Sequence, residues 1–446
     1  MNSTLTREEN QNEATRQKHS KGGDFVDIVV FVIPCLQFVH IKLVGVMNGS
    51  DMLFLAVFFY LALRMRVRIA TPLGRRFILL CSLWLASQFV TDIIKRSAFT
   101  DYARGWSNIG ITLVNFAVLS TFLYGRPRRL IFYGWGLVVG SLLQFMITPD
   151  SFAEGDPWKF GISFPATLAT FLFASRSTCR GYWPITLSLI IGVINIGLGA
   201  RALGGVSLAA ALYMSVSRSV TRKSTESPKL KTRWMLTFAT LIIIGLAGVL
   251  WAYQYAAKAG VLGEDARAKY ENQSSGQFGI LLGGRVEMLG YLPAIYDSPI
   301  LGHGSWAKDP KYLLAEQQAL AVMGYSMADE FGEDALKEGL IPTHSYLFGA
   351  WVDAGILGAV FWAWVFMLDA KALMRVYPPT TVLLPVMSFL GFDLLWNILF
   401  SPYGAEVRII FPYCALVLMT CLDLGPNQVA QVKAGVMKRR LGPARG

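Results

Sequence analysis

The sequence predicts an all-α polytopic membrane protein: about twelve transmembrane helices and one large helical loop outside the bilayer. Three observations lead there. Of 446 residues, 54% are hydrophobic and 16% charged, and the mean hydropathy is +0.44, beyond the range of soluble globular domains. Apolar runs recur at close to the ~20 residues that cross a ~30 Å hydrocarbon layer. Basic residues collect on alternate connections between those runs, as cytoplasmic loops require.

Taken in order, residues 1–24 are polar and mixed in charge, lack the apolar segment of a signal peptide, and read as a disordered cytoplasmic tail. Residues 25–256 carry nine spans, near 26–46, 51–65, 77–94, 107–124, 130–148, 161–175, 183–200, 202–217 and 234–256. Residues 257–345 form the large loop. Residues 346–425 carry three more spans, near 346–368, 380–399 and 407–424, and 426–446 form a basic cytoplasmic tail. The connections holding Arg64 to Arg76, Arg126 to Arg129, Arg176 and Arg180, Arg218 to Arg233, Lys371 and Arg375, and the tail alternate without a break. Both termini therefore fall in the cytoplasm and the large loop outside it. Within the loop, GGRVEMLGYLPAIYDS reads as an amphipathic helix, SPILGHGSW as a turn, and the segment from Asp309 to Gly339 as one or two further helices.

Several function classes are poorly supported. Four of the five cysteines lie in apolar runs and Cys179 in a short basic loop, so no disulfide framework is implied. The chain has no Cys/His cluster, no H-E-x-x-H, no P-loop, no dinucleotide glycine fingerprint and no Asp-x-Asp in a loop. No metal and no cofactor are expected. The net charge of +12 lies mostly on the cytoplasmic connections, so it speaks for topology rather than for nucleic acid.

Candidates for chemistry are few. Arg201, between two spans, reads either as an interfacial anchor snorkelling to water or as an outer-face anion site flanked by Gly197, Gly199, Gly204 and Gly205. Arg285 opens the amphipathic helix and reads either as a surface charge paired with Glu287 or as a phosphate clamp, a task that suits the planar guanidinium fork. His344 stands where loop becomes membrane helix. It either solvates that boundary or acts as a general base, since imidazole titrates near pH ~6.5. Thr343 or Ser345 can cap the helix that follows. His303, in a Gly-His-Gly turn, Tyr346, just after Ser345, and the outer-side cations Lys42 and Arg408 are the candidates for substrate binding.

PTHSYLFGAWVDAGILG sets His344 and Ser345, nine residues, Gly355, two residues, then Gly358. This resembles the signature of the bacterial O-antigen ligases: His, Asn/Ser/Gln, nine residues, Gly, two residues, Gly/Thr/Tyr. Upstream, GGRVEMLGYLPAIYDSPILGHG is similar to the family's Gly-Arg segment, with Met288, Leu289 or Tyr291 where the family often has Trp. GARALGG resembles its Ser-Arg-Gly segment, with Ala200 and Ala202 in place of Ser and Gly. The resemblance covers about 190–425. It implies a GT-C-like membrane glycosyltransferase at the periplasmic face of the inner membrane, metal-independent and inverting. The glycan donor would be a saccharide linked to undecaprenyl diphosphate and the acceptor lipid A–core. His344 would be the base, and Arg201 and Arg285 the clamps on the diphosphate. A polymerase of the same superfamily, whose acceptor is a lipid-linked glycan, shares much of the pattern; the single long outer loop favours the ligase. A transporter or flippase for an anionic lipid or sugar is the reading from another class, against which stands the absence of a visible repeat between the halves.

Overall fold

The computed structural model describes residues 25–43, 45–69, 71–176, 181–223, 254–260, 263–276, 286–325 and 339–440, with isolated positions between 240 and 251. The expected tail at 1–24, nearly all of the expected span 234–256, Cys179 and Arg285 lie outside the described residues. So does the part of the loop from 326 to 338.

The first apolar run makes helix α1 (Phe25–Phe38) and then leaves the helix, so the expected span 26–46 is corrected. Strands β1 (His40–Leu43) and β2 (Gly45–Asn48) pair antiparallel, His40 opposite Asn48. The turn depends on Gly45, whose φ of +98° only glycine adopts without strain. Helix α2 (Gly49–Leu63) then starts so close to α1 that a Cβ on Gly49 would lie 2.8 Å from the Leu36 carbonyl oxygen.

Helices α3 (Pro72–Lys95), α4 (Phe99–Leu123) and α5 (Pro127–Ile147) follow. Proline opens α3 and α5, where its missing N–H is harmless, and Thr71 caps α3 by accepting from Gly74 N at 3.0 Å. A short α6 (Ser151–Gly155) and a π-turn (Pro157–Ile162) lead into α7 (Ser163–Ala174). The hairpin of α8 (Trp183–Gly197) and α9 (Arg201–Lys223) comes next. The large loop holds α10 (Glu264–Ser274), α11 (Met288–Asp297) and α12 (Pro310–Val322), the last two where the sequence predicts helix.

The expected span 346–368 is two helices, not one: α13 (Tyr346–Ala354) and α14 (Ile356–Leu373). Gly355 separates them at φ +68°, ψ −156°, a region that is essentially glycine-only. A Cβ there would also collide with the Ile300 carbonyl, and one on Gly358 with the Ala350 carbonyl. Gly355→Ala is expected to lose about 1–3 kcal/mol from backbone strain alone, read as a lower thermal midpoint in detergent; a wild-type midpoint would contradict this. Helices α15 (Leu384–Phe400) and α16 (Val407–Arg440) complete the chain. The expected basic tail from 426 is helical backbone as far as Arg440.

Among the described residues, α3, α4, α5 and α14 are long and apolar enough to cross a membrane, and α1, α2, α8 and α15 are shorter apolar helices. The core is continuous and aromatic: Trp84 of α3 stacks on Phe361 of α14, and Trp362 lies 4.7 Å from Phe411 of α16. The outward faces are apolar too. Leu79, Phe89, Val90 and Ile93 of α3 and Leu189, Ile190 and Val193 of α8 stand exposed, which water would penalise and lipid does not. The chain is a membrane-embedded helical protein.

Candidate functional site

The site is organised by a buried aspartate inside an apolar helix. Asp92 of α3 collects four donors. Ser305 N lies 2.6 Å from Oδ1 and Ser97 Oγ 2.7 Å from it. Ser305 Oγ lies 2.7 Å and Trp106 Nε1 2.8 Å from Oδ2. Gln88 donates to Ser305 Oγ at 2.8 Å. A carboxylate so fully bonded is stable out of water, where a bare one is not. Its effect is to nail the turn SPILGHGSW onto α3.

The same turn docks on the break between α13 and α14. His303 N donates to Val352 O at 2.7 Å, Gly304 N to Asp353 O at 3.0 Å, and Ile356 N to Ile300 O at 3.2 Å. Ser87 of α3 donates to Ala354 O at 2.7 Å. The carbonyls at the end of α13 thus find partners in the loop and in α3 rather than in a following helical turn. Gly302, at φ +80°, allows the approach: a Cβ there would lie 2.6 Å from Gly355 N.

PTHSYL is held from both sides. Ser345 is the N-cap of α13, accepting from Phe348 N at 3.1 Å and donating to Ile398 O at 2.7 Å. Pro342 packs against Gly290 of α11, where a Cβ would meet its ring at 2.6 Å, and Tyr291 stacks on Phe348 at 4.9 Å. This contact brings the start of α11 to His344. Glu287 Oε1 lies 3.3 Å from His344 Nδ1, with His344 54% and Glu287 24% exposed.

Thr343 and Ser345, on either side of His344, line a cavity of about 320 Å³ between α3, α4, α13 and the loop. Its walls include Trp84, Tyr346 and Tyr403, with Gln88, Asn108 and Asp353 as polar groups and Trp306 at the loop side. Lys308 fixes the loop to the start of α4 through Asp101 at 3.1 Å. Just outside the bundle, the Tyr312 hydroxyl and the Lys311 ammonium hold the Asp297 carboxyl below its usual range.

The sequence candidates separate in space. Tyr346 is in the cavity wall, its ring buried against Trp362 and Tyr403, whereas His344 is not in the wall and turns its half-exposed imidazole to Glu287. His303 joins the docking turn, its Nε2 2.7 Å from Ala294 O and its ring edge-on to Tyr312. Arg408 is 1% exposed and bonded to Asp51 Oδ2 at 2.9 Å, Val46 O at 2.6 Å and Ala405 O at 3.0 Å, which makes it a pin between α16 and the β-hairpin. Lys42 sits on β1 opposite Val46. Arg201 opens α9, and the cavity wall does not include it. Gly204, read above as clearance for a ligand, instead serves helix packing: a Cβ there would lie 2.9 Å from Gly192 O.

Sequence reasoning missed three residues that build the site: Asp92, Ser305 and the role of Glu287. Asp92 carried a legible signal, since an acid within an apolar run demands a partner. Among the described residues, no group of three or more His, Cys, Asp or Glu is placed to hold a metal ion. No protein-family model matches the chain, and no curated protein matches it significantly.

Proposed function

We propose that the protein is a glycosyltransferase of the O-antigen ligase type. It moves a glycan from an undecaprenyl-diphosphate carrier to an acceptor hydroxyl, with lipid A–core as the acceptor. The observation that carries this reading is the Glu287–His344 pair, 3.3 Å apart, on the stretch whose Thr343 and Ser345 line a cavity of ligand size. A carboxylate 3.3 Å from Nδ1 favours the tautomer that carries its proton there and leaves Nε2 to accept one, as an oriented general base requires.

In the proposed step, His344 Nε2 takes the proton of the acceptor hydroxyl as its oxygen bonds to the anomeric carbon. The bond from that carbon to the carrier diphosphate breaks on the opposite side, and the diphosphate leaves with the electron pair. Attack opposite the leaving group inverts the anomeric centre. Arg201 and Arg285 hold the diphosphate, where a guanidinium fork neutralises charge as it develops. The twelve-span topology, with both termini cytoplasmic and this face periplasmic, belongs to the same proposal and rests on the basic connections.

Reconstituted protein given a lipid-linked glycan donor, with and without lipid A–core, tests the acceptor. Product on the core alone supports the ligase; lengthening of the glycan on its carrier supports the polymerase instead. Loss of activity in EDTA would refute metal independence.

A further inference from the structure

We propose that the cavity beneath Thr343 and Ser345 is a saccharide-binding subsite, with Trp306 as the platform on which a sugar ring stacks. This rests on the glycan-transfer reading only for the source of the sugar.

The argument begins with the backbone. Among the described residues, the non-glycine positions at positive φ are Met65, Arg96 and Trp306. Met65 and Arg96 stand at or just past helix ends, where a left-handed residue terminates the helix. Trp306 ends no helix. It sits at φ +52° immediately after Ser305, the residue clamped by Asp92. A bulky side chain in that region is strained, and such strain persists only where its surroundings over-determine it.

The clamp does not bury the indole. Trp306 remains 42% exposed while lining the cavity, so the loop directs a large aromatic face toward open space rather than into the core. The Arg104 guanidinium, 5.5 Å from the ring centroid, braces it.

The remaining lining selects the ligand class. Gln88, Asn108, Thr343, Asp353 and Tyr403 offer both donors and acceptors, and no lysine or arginine is in the wall. A phosphate would meet no cation in the wall, and Arg104 is already engaged over the Trp306 ring. A lipid tail would desolvate amides without bonding them. A sugar presents hydroxyls that donate and accept around its edge and an apolar C–H face to an aromatic ring. An aromatic platform in one wall with two amides, two hydroxyls and one carboxyl fits that chemistry.

Saturation-transfer NMR on the full-length protein in nanodiscs tests this, using the methyl glycosides of glucose, galactose, rhamnose and N-acetylglucosamine as probes. At least one glycoside is expected to show saturated ring C–H signals. Trp306→Ala should weaken them about threefold or more, and Trp306→Phe should largely keep them. Asn108→Ala, on helix α4 rather than the loop, should weaken them too, which keeps the test decisive if Trp306→Ala does not fold. No saturation with any probe, or signals unchanged in both Trp306→Ala and Asn108→Ala, overturns the proposal. The two readings fail separately. Saccharide saturation without any transfer of glycan refutes the enzyme and leaves the subsite; transfer with wild-type saturation in both variants does the reverse.

Discussion

His344→Ala is expected to lower glycan transfer by about 10²–10⁴-fold, the range supplied by a positioned general base. The fold should survive, because the imidazole is half exposed and its described polar contact is with Glu287, while Ser345 rather than His344 caps α13. Glu287→Gln should lose less. A charge contact this exposed is worth about 1 kcal/mol at most, about fivefold in rate. The double variant should be no worse than His344→Ala, since Glu287 acts through the imidazole. Initial rates on monodisperse protein check all three. A Glu287 effect that persists without His344 would give the carboxylate a different role.

The second large effect concerns stability. Asp51 is fully buried and Arg408 nearly so, joined at 2.9 Å and bonded further to Asn48, Asn115 and the hairpin. Removing one partner strands the other's charge away from water, which typically costs about 3–5 kcal/mol. Asp51→Ala should therefore unfold at markedly lower temperature in detergent. The apolar pair Asp51→Leu with Arg408→Met should recover much of the loss, because no charge is left buried. The same experiment settles what Arg408 is for. If it is a pin, the surviving fraction of Arg408→Met keeps the wild-type KM for the glycan donor; a raised KM at unchanged stability would make it a ligand for substrate.

How much of this was legible in the sequence follows from the kind of interaction that decides each element. Apolar run length located the helices, because a bilayer sets both their length and their outward chemistry. It failed where a single backbone contact overrides hydropathy. The run 346–368 is apolar but for Asp353, yet Gly355 and the Ile300 carbonyl divide it. The run 26–46 is mostly apolar, yet its end turns at Gly45 into a hairpin. The site was legible in part. His344 stood out as one of four histidines placed at a polar–apolar border. Its partner did not, because Glu287 reaches it only through the packing of Pro342 on Gly290 and Phe348 on Tyr291. The cations Lys42 and Arg408 looked alike as charges, and only the fold shows Arg408 bonded within the core.

The central claim is that this outer face breaks a glycan–diphosphate bond and makes a glycoside. Mass spectrometry of the reconstituted protein with lipid-linked glycan donor and lipid A–core tests it most directly. The account predicts acceptor heavier by one transferred glycan, with free undecaprenyl diphosphate appearing in equal amount and neither product formed by His344→Ala. Donor and acceptor recovered intact, with the donor moved across the bilayer, would contradict it and identify a transporter.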